Sequence, residues 1–585
     1  MATQGTVIGV VSNLATIEVN GPVSQNEICT INLDGVPLDA EVIKIQGDHV
    51  FAQVFESTRG LKMGSQVEFT GHMLEVELGP GLLSKKFDGL QNDLEALSGV
   101  FLKRGEKADA ISKETEWQFK PLVKSGERVQ GGDWLGEVPE SWIKHKIMTP
   151  FGLEGVWTVE SIAAEGAHRI TDTIAQLKGP AGETRTVTLS QRWPVKIPLQ
   201  AYAHKPVAHK LLQTGVRLID TLNPIVEGGT GFIPGPFGCG KTVLQHIIAA
   251  NAAVDLVIIA ACGERANEVV ELFTEYPQLD DPYTGRKLME RTIIICNTSN
   301  MPVAAREASV YTAMTIAEYY RQMGLRVLLL ADSTSRWAQA LRETSNRMEE
   351  LPGPDAFPMD LTAVVANFYA RAGLVALHNG NFGSVTFIGT VSPAGGNLKE
   401  PVTEATKKVA RCFYALSQQR ADSKRYPAVD PIESYSKYLD YQEAQEDMRR
   451  TLEPHWIEKI AYIKNVLLRG KEAFDQINIL GDDSVPVGYH IRYWKSELVD
   501  FGFLQQDAFD PVDKATPMDR QRYMFDVMNS VCKTEFSFEH FEEVSAHFKK
   551  LINQIKQMNY SEFQSEDFKR FEDELESILM ERKAS

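Results

Sequence analysis

The sequence predicts a multidomain α/β protein, in which β-rich N-terminal segments precede a parallel sheet with crossover helices and a helical C-terminal region. A chain of 585 residues is too long to fold around one hydrophobic core. Its central part alternates apolar runs with helical stretches, which is typical of a parallel sheet. A glycine-rich loop at residues 235–242 follows one apolar run and precedes a helical one, as a phosphate-binding loop does.

Composition and charge restrict the function. The chain is 43% hydrophobic and 24% charged, and its net charge is −17. Because nucleic acid and anionic lipid repel an acidic surface, we expect no nucleic-acid partner and no direct adsorption to a membrane. The six cysteines form no C-x-x-C pair and indicate neither a zinc site nor a disulfide framework, so the cytoplasm is the expected compartment.

The sequence also predicts how the protein relates to a membrane. Residues 1–6 carry no basic stretch followed by an apolar core, and no run approaches the ~20 apolar residues that span a bilayer. We therefore expect any link to a membrane to pass through partner proteins.

The N-terminal part is predicted to hold two β-rich domains. In residues 1–70, short β-branched runs separated by turn residues predict a small β-barrel with a structural or oligomer-forming role. Residues 71–115 are expected to form a connection, with a helix at residues 91–97, and the first part of the nucleotide-binding domain. Residues 116–191 are expected to form an inserted β-rich domain. Its Gly turns resemble those of a lipoyl-type barrel, but it lacks an obvious attachment motif, so we expect a scaffold.

Residues 192–434 are predicted to form the parallel-sheet domain. Residues 256–262 are too uniformly apolar for a half-exposed strand and suit one that is buried on both faces. Further strands are predicted at residues 292–296, 326–331 and 384–391. Ligands of open α/β sheets collect at the carboxyl ends of the strands, where the glycine-rich loop, Glu264 and Asp332 lie.

The C-terminal part, residues 435–585, is predicted to be helical. Apolar residues recur at helix spacing over residues 544–558 and 568–579. Two amphipathic helices are therefore expected to close the chain.

The glycine-rich loop fits the pattern G-x-x-x-x-G-K-[ST]. Its glycines allow backbone N–H groups to close around phosphate oxygens, while Lys241 reaches the β- and γ-phosphates and the Thr242 hydroxyl binds Mg²⁺. The apolar run before it and the helical run after it supply the required order of strand, loop and helix. The loop consists of Gly235, Pro236, Phe237, Gly238, Cys239, Gly240, Lys241 and Thr242.

Three further residues match the remaining requirements of phosphoryl transfer. Asp332 ends a hydrophobic strand, which fits the Walker-B role of holding Mg²⁺; a helix cap is the alternative. Glu264 ends the strand that follows the loop's helix, where it could orient and deprotonate the attacking water; the alternative is a solvated loop residue. Arg265 could brace that carboxylate or contact the γ-phosphate, or form a structural salt bridge.

Four motifs occur in this one chain: GPFGCGKT at residues 235–242, CGERANE at 262–268, NTSNMPVAARE at 297–307 and DSTSRWA at 332–338. Together they closely resemble the catalytic A subunit of V-type and archaeal-type rotary ATPases, and the resemblance extends over nearly the whole chain. The inserted domain discriminates further, because the F-type β subunit and the flagellar and secretion ATPases lack it. The resemblance implies a RecA-like P-loop domain between the inserted (bulge) domain and the C-terminal helices.

The resemblance implies ATP or ADP and Mg²⁺ as ligands, and it assigns catalytic roles. Glu264 would be the water-activating carboxylate, with Arg265 assisting it. Lys241 would contact the phosphates, and Thr242 and Asp332 would hold the metal.

The same resemblance implies how the rest of the nucleotide is bound. Phe237 would pack beside the phosphates and shield them from water. Tyr426 and Phe509 would sandwich adenine, with ordinary core aromatics as the alternative. The implied nucleotide-contacting set is Gly235, Pro236, Phe237, Gly238, Cys239, Gly240, Lys241, Thr242, Val243, Tyr426 and Phe509.

The resemblance also implies partners and an activity. A non-catalytic B subunit in an alternating A3B3 hexamer would supply an arginine across the interface, so the isolated chain is expected to be a poor ATPase. Central and peripheral stalk subunits would connect the ring to a membrane ion-translocating sector, and thereby place the chain on the cytoplasmic face of a membrane. The expected activity is Mg-dependent ATP hydrolysis or synthesis coupled to ion transport, and the sequence selects neither the direction nor H⁺ over Na⁺.

Two other functions compete with this interpretation. A RecA-like hexameric nucleic-acid translocase would require a basic channel and an RNA-binding N-terminal module, which the acidic composition and the inserted domain disfavour. A non-catalytic scaffold subunit would be expected to lack Lys241 or Glu264, and both are present.

Cys239 allows two interpretations. It lies at the N-terminus of the loop's helix, where the helix dipole can lower the pKa of a thiol. The favoured interpretation is a small filler between glycines. A reactive thiol would instead block nucleotide access when it is modified or forms a disulfide with another cysteine such as Cys532.

Overall fold

The structure, a computed structural model, describes residues 3–97, 104–298 and 301–584. The chain divides into two compact units. Unit 1 contains Met1–Pro206 and Val254–Gly389, and unit 2 contains Val207–Ala253 and Thr390–Ser585. Within the described ranges, none of the helices combines the length and the apolar character that crossing a membrane requires.

The N-terminal part of unit 1 is a closed barrel of six antiparallel strands in the order β1-β2-β5-β4-β3-β6. The strands are β1 (Gln4–Val11), β2 (Leu14–Val19), β3 (Glu27–Leu33), β4 (Val36–Gln46), β5 (His49–Val54) and β6 (Gln66–Met73). Alternate residues such as Val7, Ile17 and Ile31 fill the interior and are almost completely buried. The predicted barrel is thus confirmed.

The connection after the barrel contains two short strands, β7 (Glu75–Leu78) and β8 (Lys86–Asp88). The helix predicted at residues 91–97 is wrong, because the segment forms turns. Asp93 bridges back to Phe87, its carboxylate pairs with Lys85, and its Oδ1 accepts the backbone N–H of Glu95 at 3.0 Å. Such local side-chain bonds compete with helix formation. Residues 98–103 of this connection lie outside the described residues.

The inserted part of unit 1 consists of two antiparallel four-stranded sheets, ordered β10-β13-β15-β16 and β12-β11-β9-β14. The strands are β9 (Glu116–Pro121), β10 (Arg128–Val129), β11 (Trp134–Glu140), β12 (Ile143–Met148), β13 (Trp157–Ile162), β14 (Gly166–Arg169), β15 (Ala175–Lys178) and β16 (Thr184–Val187). The β-rich character predicted here is confirmed. A further strand, β17 (Gln191–Pro194), returns to pair with β7.

The central segment alternates strands and helices, as predicted. Its elements are β18 (Thr230–Pro234), α1 (Lys241–Asn251), β19 (Leu256–Glu264), α2 (Ala266–Glu275), β20 (Thr292–Thr298), α3 (Val303–Arg321), β21 (Arg326–Asp332), α4 (Thr334–Arg347), α5 (Leu361–Tyr369), β22 (Gly373–Ala376) and β23 (Phe382–Val391).

In unit 1 the strands β23, β21, β19, β20 and β8 pair in that order, and every pair is parallel. Strand β22 adds to β23 in the antiparallel direction. All of β19 except Glu264 is buried, and α3 packs against β19, β20 and β21. Burial on both faces explains why these strands are continuous apolar runs.

Unit 2 contains β18, α1 and the C-terminal elements. These are α6 (Pro401–Val409), β24 (Cys412–Phe413), α7 (Gln418–Asp422), β25 (Tyr435–Ser436), α8 (Gln442–Thr451), α9 (Trp456–Leu480), α10 (Val487–Val499), α11 (Met518–Lys533), α12 (Phe541–Tyr560) and α13 (Glu566–Glu581). Strand β18 pairs in parallel with β24, and helices α9, α10, α12 and α13 pack in succession. In the core of this region, the ring centroids of Trp456 in α9 and Phe525 in α11 lie 5.0 Å apart. The predicted helical C-terminal region is confirmed.

Candidate nucleotide-binding site

The glycine-rich loop of unit 2 connects β18 directly to α1. Gly238 and Gly240 have φ angles of 82° and 81°, in the left-handed region that favours glycine. At Gly235 a Cβ atom would lie 2.5 Å from the Cβ atom of Leu416, so a side chain does not fit there. The glycines of the motif are therefore required by the backbone conformation and by packing.

Lys241 is the first residue of α1, and its side chain turns back into the loop. Its Nζ donates hydrogen bonds to the carbonyl oxygens of Gly235 at 2.7 Å and Pro236 at 2.9 Å. The ring centroid of Phe237 lies 5.2 Å from the same Nζ, and the Phe237 side chain is 64% exposed. The ammonium group and the positive end of the α1 dipole thus lie at one loop, which is an arrangement that favours a bound anion.

Next to the loop is a cavity of about 480 Å³ that lies entirely within unit 2. Its size is typical of a small-molecule site. Tyr426 and Phe509, the two residues that the resemblance assigns to adenine, both line this cavity. It is lined by Val216, Gly238, Cys239, Gly240, Val243, Leu244, Ile247, Tyr426, Pro427, Ala428, Gln505, Gln506, Asp507, Ala508, Phe509, Lys514 and Tyr560.

The side chains of Tyr426 and Phe509 at the cavity are exposed, unlike ordinary core residues. Phe509 is 88% exposed and Tyr426 is 41% exposed. A Cβ atom on Gly240 would lie 4.0 Å from Cε1 of Tyr426, so this ring borders the loop itself. Half-buried Thr242 and exposed Val243 follow Lys241 in the first turn of α1.

Several cavity residues were not predicted. Gln505 and Gln506 precede Phe509 closely, and this adjacency was the only signal for them in the sequence. Tyr560 ends α12, whose apolar stripe indicates only a core-facing helix. Val216 carries no local signal at all, because its position is determined by the packing of distant segments.

In unit 1, the structure brings Glu264 and Asp332 together. Strand β19 ends at Glu264 and the adjacent strand β21 ends at Asp332, whose cross-strand partner is Ala261. Asp332 is only 7% exposed. Arg265 is exposed and lies at the N-cap position of α2.

The electrostatics of Glu264 are unusual for a carboxylic acid. Burial raises its pKa to about 9, a hydrogen bond with Glu268 and the negative charge of Asp332 act in the same direction, and the Arg336 guanidinium opposes them. Glu264 is therefore protonated at neutral pH in this structure. A cation brought beside the cluster would restore the carboxylate, because it compensates the negative charges. Glu268 was not predicted as a functional residue, although the CGERANE motif contains it.

The candidate metal ligands are both oxygen donors, the Thr242 hydroxyl and the Asp332 carboxylate. Oxygen donors of this kind fit Mg²⁺, which keeps several waters and binds one or two protein groups together with substrate phosphates. Across residues 3–97, 104–298 and 301–584, no group of three or more His, Cys, Asp and Glu side chains could hold a metal ion on its own.

Cys239 does not have the lowered thiol pKa that its position suggested. The residue is 1% exposed, and burial raises its pKa. Its Sγ donates to Oε1 of Gln418 at 3.3 Å. Cys239 and Cys532 are both buried free thiols. The geometry agrees with the small-filler interpretation of Cys239.

One of the four motifs is only partly described. In residues 297–307, Asn297 lies in β20 and the C-terminal half begins α3, while Ser299 and Asn300 lie outside the described residues.

A glycine-rich loop between a strand and a helix, with a lysine held inside it and an aromatic cavity beside it, defines a P-loop nucleotide-binding protein. Three matches to known domains agree with this class. Residues 215–436 match the nucleotide-binding domain of the ATP synthase alpha/beta family, residues 7–71 match the beta-barrel domain of that family, and residues 108–196 match the ATP synthase alpha/beta subunit barrel-sandwich domain.

Curated relatives match over the full length. The chain is 48% identical to the V-type ATP synthase alpha chain of Borrelia turicatae, with 100% of both chains covered, and 49% identical to that of Borrelia hermsii, with 100% of this chain and 99% of the relative covered. It is 48% identical to the protein of the same name from Treponema denticola, with 99% of this chain and 97% of the relative covered. The chain belongs to the family of V-type ATP synthase alpha chains. The resemblance drawn from the motifs is confirmed, and a nucleic-acid translocase is not favoured.

Proposed function

We infer that this chain is the catalytic subunit of a V/A-type rotary ATPase, which hydrolyses or synthesises ATP in a reaction coupled to ion transport across a membrane. The observation that carries this inference is the loop of unit 2. Its lysine ammonium is held at the carbonyl oxygens of Gly235 and Pro236, beside a cavity that is lined by the exposed rings of Tyr426 and Phe509.

We propose that one nucleotide uses both features of unit 2. The triphosphate binds the backbone N–H groups of the loop and the Lys241 ammonium, because these are the positive groups at the start of α1. The base enters the 480 Å³ cavity and stacks on Tyr426 and Phe509. Phe237 covers the phosphates, since its exposed ring lies beside the Lys241 ammonium.

Mg²⁺ is the proposed metal cofactor. Thr242 and Asp332 would hold it, and when bound it neutralises the negative charge of the phosphates. This proposal also supplies the positive charge that Glu264 needs in order to be ionised near neutral pH, because burial and Asp332 otherwise keep it protonated.

The hydrolytic role is assigned to the acidic group of unit 1. Glu264 orients a water molecule and accepts its proton, while the water oxygen bonds to the γ-phosphorus and the bond from that phosphorus to ADP breaks. Arg265 stabilises the negative charge that develops. Glu264 then returns its proton to the products, and the reverse sequence synthesises ATP.

The proposed assembly completes this site with another protein. A non-catalytic B subunit, alternating with this chain in an A3B3 hexamer, supplies the cation that the transferring phosphoryl group still lacks. Stalk subunits couple the ring to a membrane ion-translocating sector, so the chain is placed on the cytoplasmic face of a membrane through the complex.

The test is to produce the chain with the B subunit of its own source and to measure stoichiometry and ATP hydrolysis with and without Mg²⁺. The expected result is an equimolar complex whose hydrolysis requires Mg²⁺ and far exceeds that of the isolated chain. An equimolar complex that binds ATP but does not hydrolyse it under any divalent cation would contradict the catalytic assignment.

A further inference from the structure

One wall of the base cavity is a segment without regular secondary structure. Residues 505–509 all line the cavity, and none of them belongs to a helix or strand. The segment follows a single π-helical turn, Asp500–Leu504, and precedes α11. Its position therefore depends on the side chains that pack beneath it.

Arg217 is the main side chain beneath this wall. It is completely buried, at 0% exposure. Its Nε donates to the carbonyl oxygen of Phe503 at 2.6 Å, and its Nη2 donates to that of Gln505 at 2.5 Å. Its Nη1 donates to Oγ1 of Thr516 at 3.0 Å and to Oδ1 of Asp513 at 2.6 Å. One guanidinium thus bonds to the start of the segment and to two residues that follow it in the chain.

Asp513 extends this contact to the middle of the wall. Its carboxylate is 3% exposed, and its Oδ2 accepts the backbone N–H of Asp507 at 2.7 Å. The same carboxylate therefore bridges the Arg217 guanidinium and the backbone two residues before Phe509. Bonds of this kind to an ionised group are stronger than bonds between neutral groups.

Gln506 connects the wall to the other aromatic residue. Its Oε1 accepts the backbone N–H of Arg217 at 3.0 Å, and its Nε2 donates to the carbonyl oxygen of Gly215 at 2.9 Å. Its backbone N–H donates to the carbonyl oxygen of Tyr426 at 2.8 Å. Gln506 thus joins the backbone at residues 215 and 217 to the segment of Phe509 and to that of Tyr426.

We propose that Arg217 and Asp513 form a positioning pair for the base of the nucleotide, an inference that rests on the proposed function. Neither side chain is among those that line the cavity. The pair acts through the wall: it holds the Phe509 segment in place before the base arrives, so that binding does not have to order a loose loop. Preorganisation of this kind raises affinity by lowering the entropic cost of binding.

The pair predicts a loss of affinity that depends on the base. Competition against a fluorescent ATP analogue measures the dissociation constants of ATP and of inorganic tripolyphosphate for the full chain. In Asp513→Asn, which cannot accept from both the guanidinium and the Asp507 N–H as a carboxylate does, the constant for ATP rises about tenfold, as expected when one charge-assisted hydrogen bond is lost. Tripolyphosphate has no base, and the phosphate-binding loop is unchanged in the variant. The dissociation constant for tripolyphosphate therefore stays within about twofold of the wild-type value.

Two further variants sharpen the experiment. Arg217→Lys keeps the positive charge but cannot reproduce the several donors of the guanidinium, so we expect the same base-dependent loss of affinity. This variant tests the proposal even if Asp513→Asn does not fold. Asp447→Asn makes the same chemical change at another buried aspartate, whose partner is Arg450 in α8, and it leaves both constants unchanged.

The outcomes separate this proposal from the one on which it rests. Wild-type affinity for ATP in folded Asp513→Asn and Arg217→Lys would overturn the positioning role, and so would equal weakening of ATP and tripolyphosphate. If wild-type protein bound ATP no more tightly than tripolyphosphate, binding of the base in this cavity would itself be wrong, and that part of the proposed function would fail with it.

Discussion

The Nζ atom of Lys241 lies 2.7 Å from the carbonyl oxygen of Gly235, so the ammonium group is directed into the glycine-rich loop before any phosphate is bound. Lys241→Ala removes this positive charge while the backbone donors of the loop remain. We expect kcat/KM for ATP to fall about 10²–10³-fold in the assembled complex, as when one preorganised donor to a transition state is deleted.

A matched control for this change is Lys471→Ala. Lys471 is exposed on α9 and does not line the cavity, so steady-state hydrolysis of this variant should equal that of the wild type. Comparable loss of activity in both variants would show that the effect is not specific to the loop.

Glu264→Gln keeps the size of the side chain at the end of β19 but removes its ability to accept a proton. Because the phosphate loop is unchanged, we expect ATP to bind within a few-fold of the wild-type affinity. Single-turnover cleavage should slow by about 10²–10⁴-fold, the usual contribution of a general base. The control is Glu275→Gln, which alters an exposed glutamate of the neighbouring helix α2. Wild-type cleavage by a Glu264→Gln complex would refute the assignment.

The raised pKa of Glu264 also predicts how stability depends on pH. The ordinary pKa is 4.5, whereas the folded chain holds it at about 9. Between these values the unfolded chain releases the proton that the folded chain keeps, so stability falls as pH rises. This contribution is fully present below pH 4.5 and is lost as the pH passes about 9.

Glu264→Gln abolishes this titration. The unfolding temperature of the variant, measured without nucleotide or Mg²⁺, should therefore exceed that of the wild type by an amount that grows from pH 5 to pH 9. Titrating groups that do not interact with Glu264 cancel in the comparison, because both proteins contain them. A difference that is constant or shrinks over this range would mean that Glu264 is ionised in the folded chain at neutral pH.

Local patterns were sufficient to predict most of the fold. Strand β19 was predicted because a strand buried on both faces must be apolar throughout, and the loop was predicted because phosphate binding requires glycines at fixed positions. The prediction of a helix at residues 91–97 was wrong because Asp93 bonds to its neighbours in a turn.

Features that depend on distant residues could not be predicted. Arg217 and Asp513 are 296 positions apart in the chain and meet only in the folded protein. Neither residue has a spacing or a motif that indicates the other. The raised pKa of Cys239 is of the same kind, since its largest cause is burial by surrounding segments, which the position of the thiol near the start of a helix does not reveal.

Phe509 provides the most direct test of the base cavity. Its ring is 88% exposed and contributes to the cavity wall, so its removal deletes a stacking surface without opening a hole in a core. Stacking of a base on an aromatic side chain contributes about 1–3 kcal/mol, so Phe509→Ala should raise KM for ATP by roughly 5- to 150-fold. The value of kcat should change little, because the reacting phosphate lies at the other end of the nucleotide.

The control for the aromatic change is Phe474→Ala in α9. Phe474 is 39% exposed and stacks on Tyr493 outside the cavity, so its removal should leave KM unchanged. Tyr426→Ala should reproduce the rise in KM, because the two rings contact opposite faces of the base in the proposed complex. If Phe509→Ala and Tyr426→Ala both kept the wild-type KM while Lys241→Ala abolished activity, the triphosphate would be bound at the loop but the base would lie elsewhere.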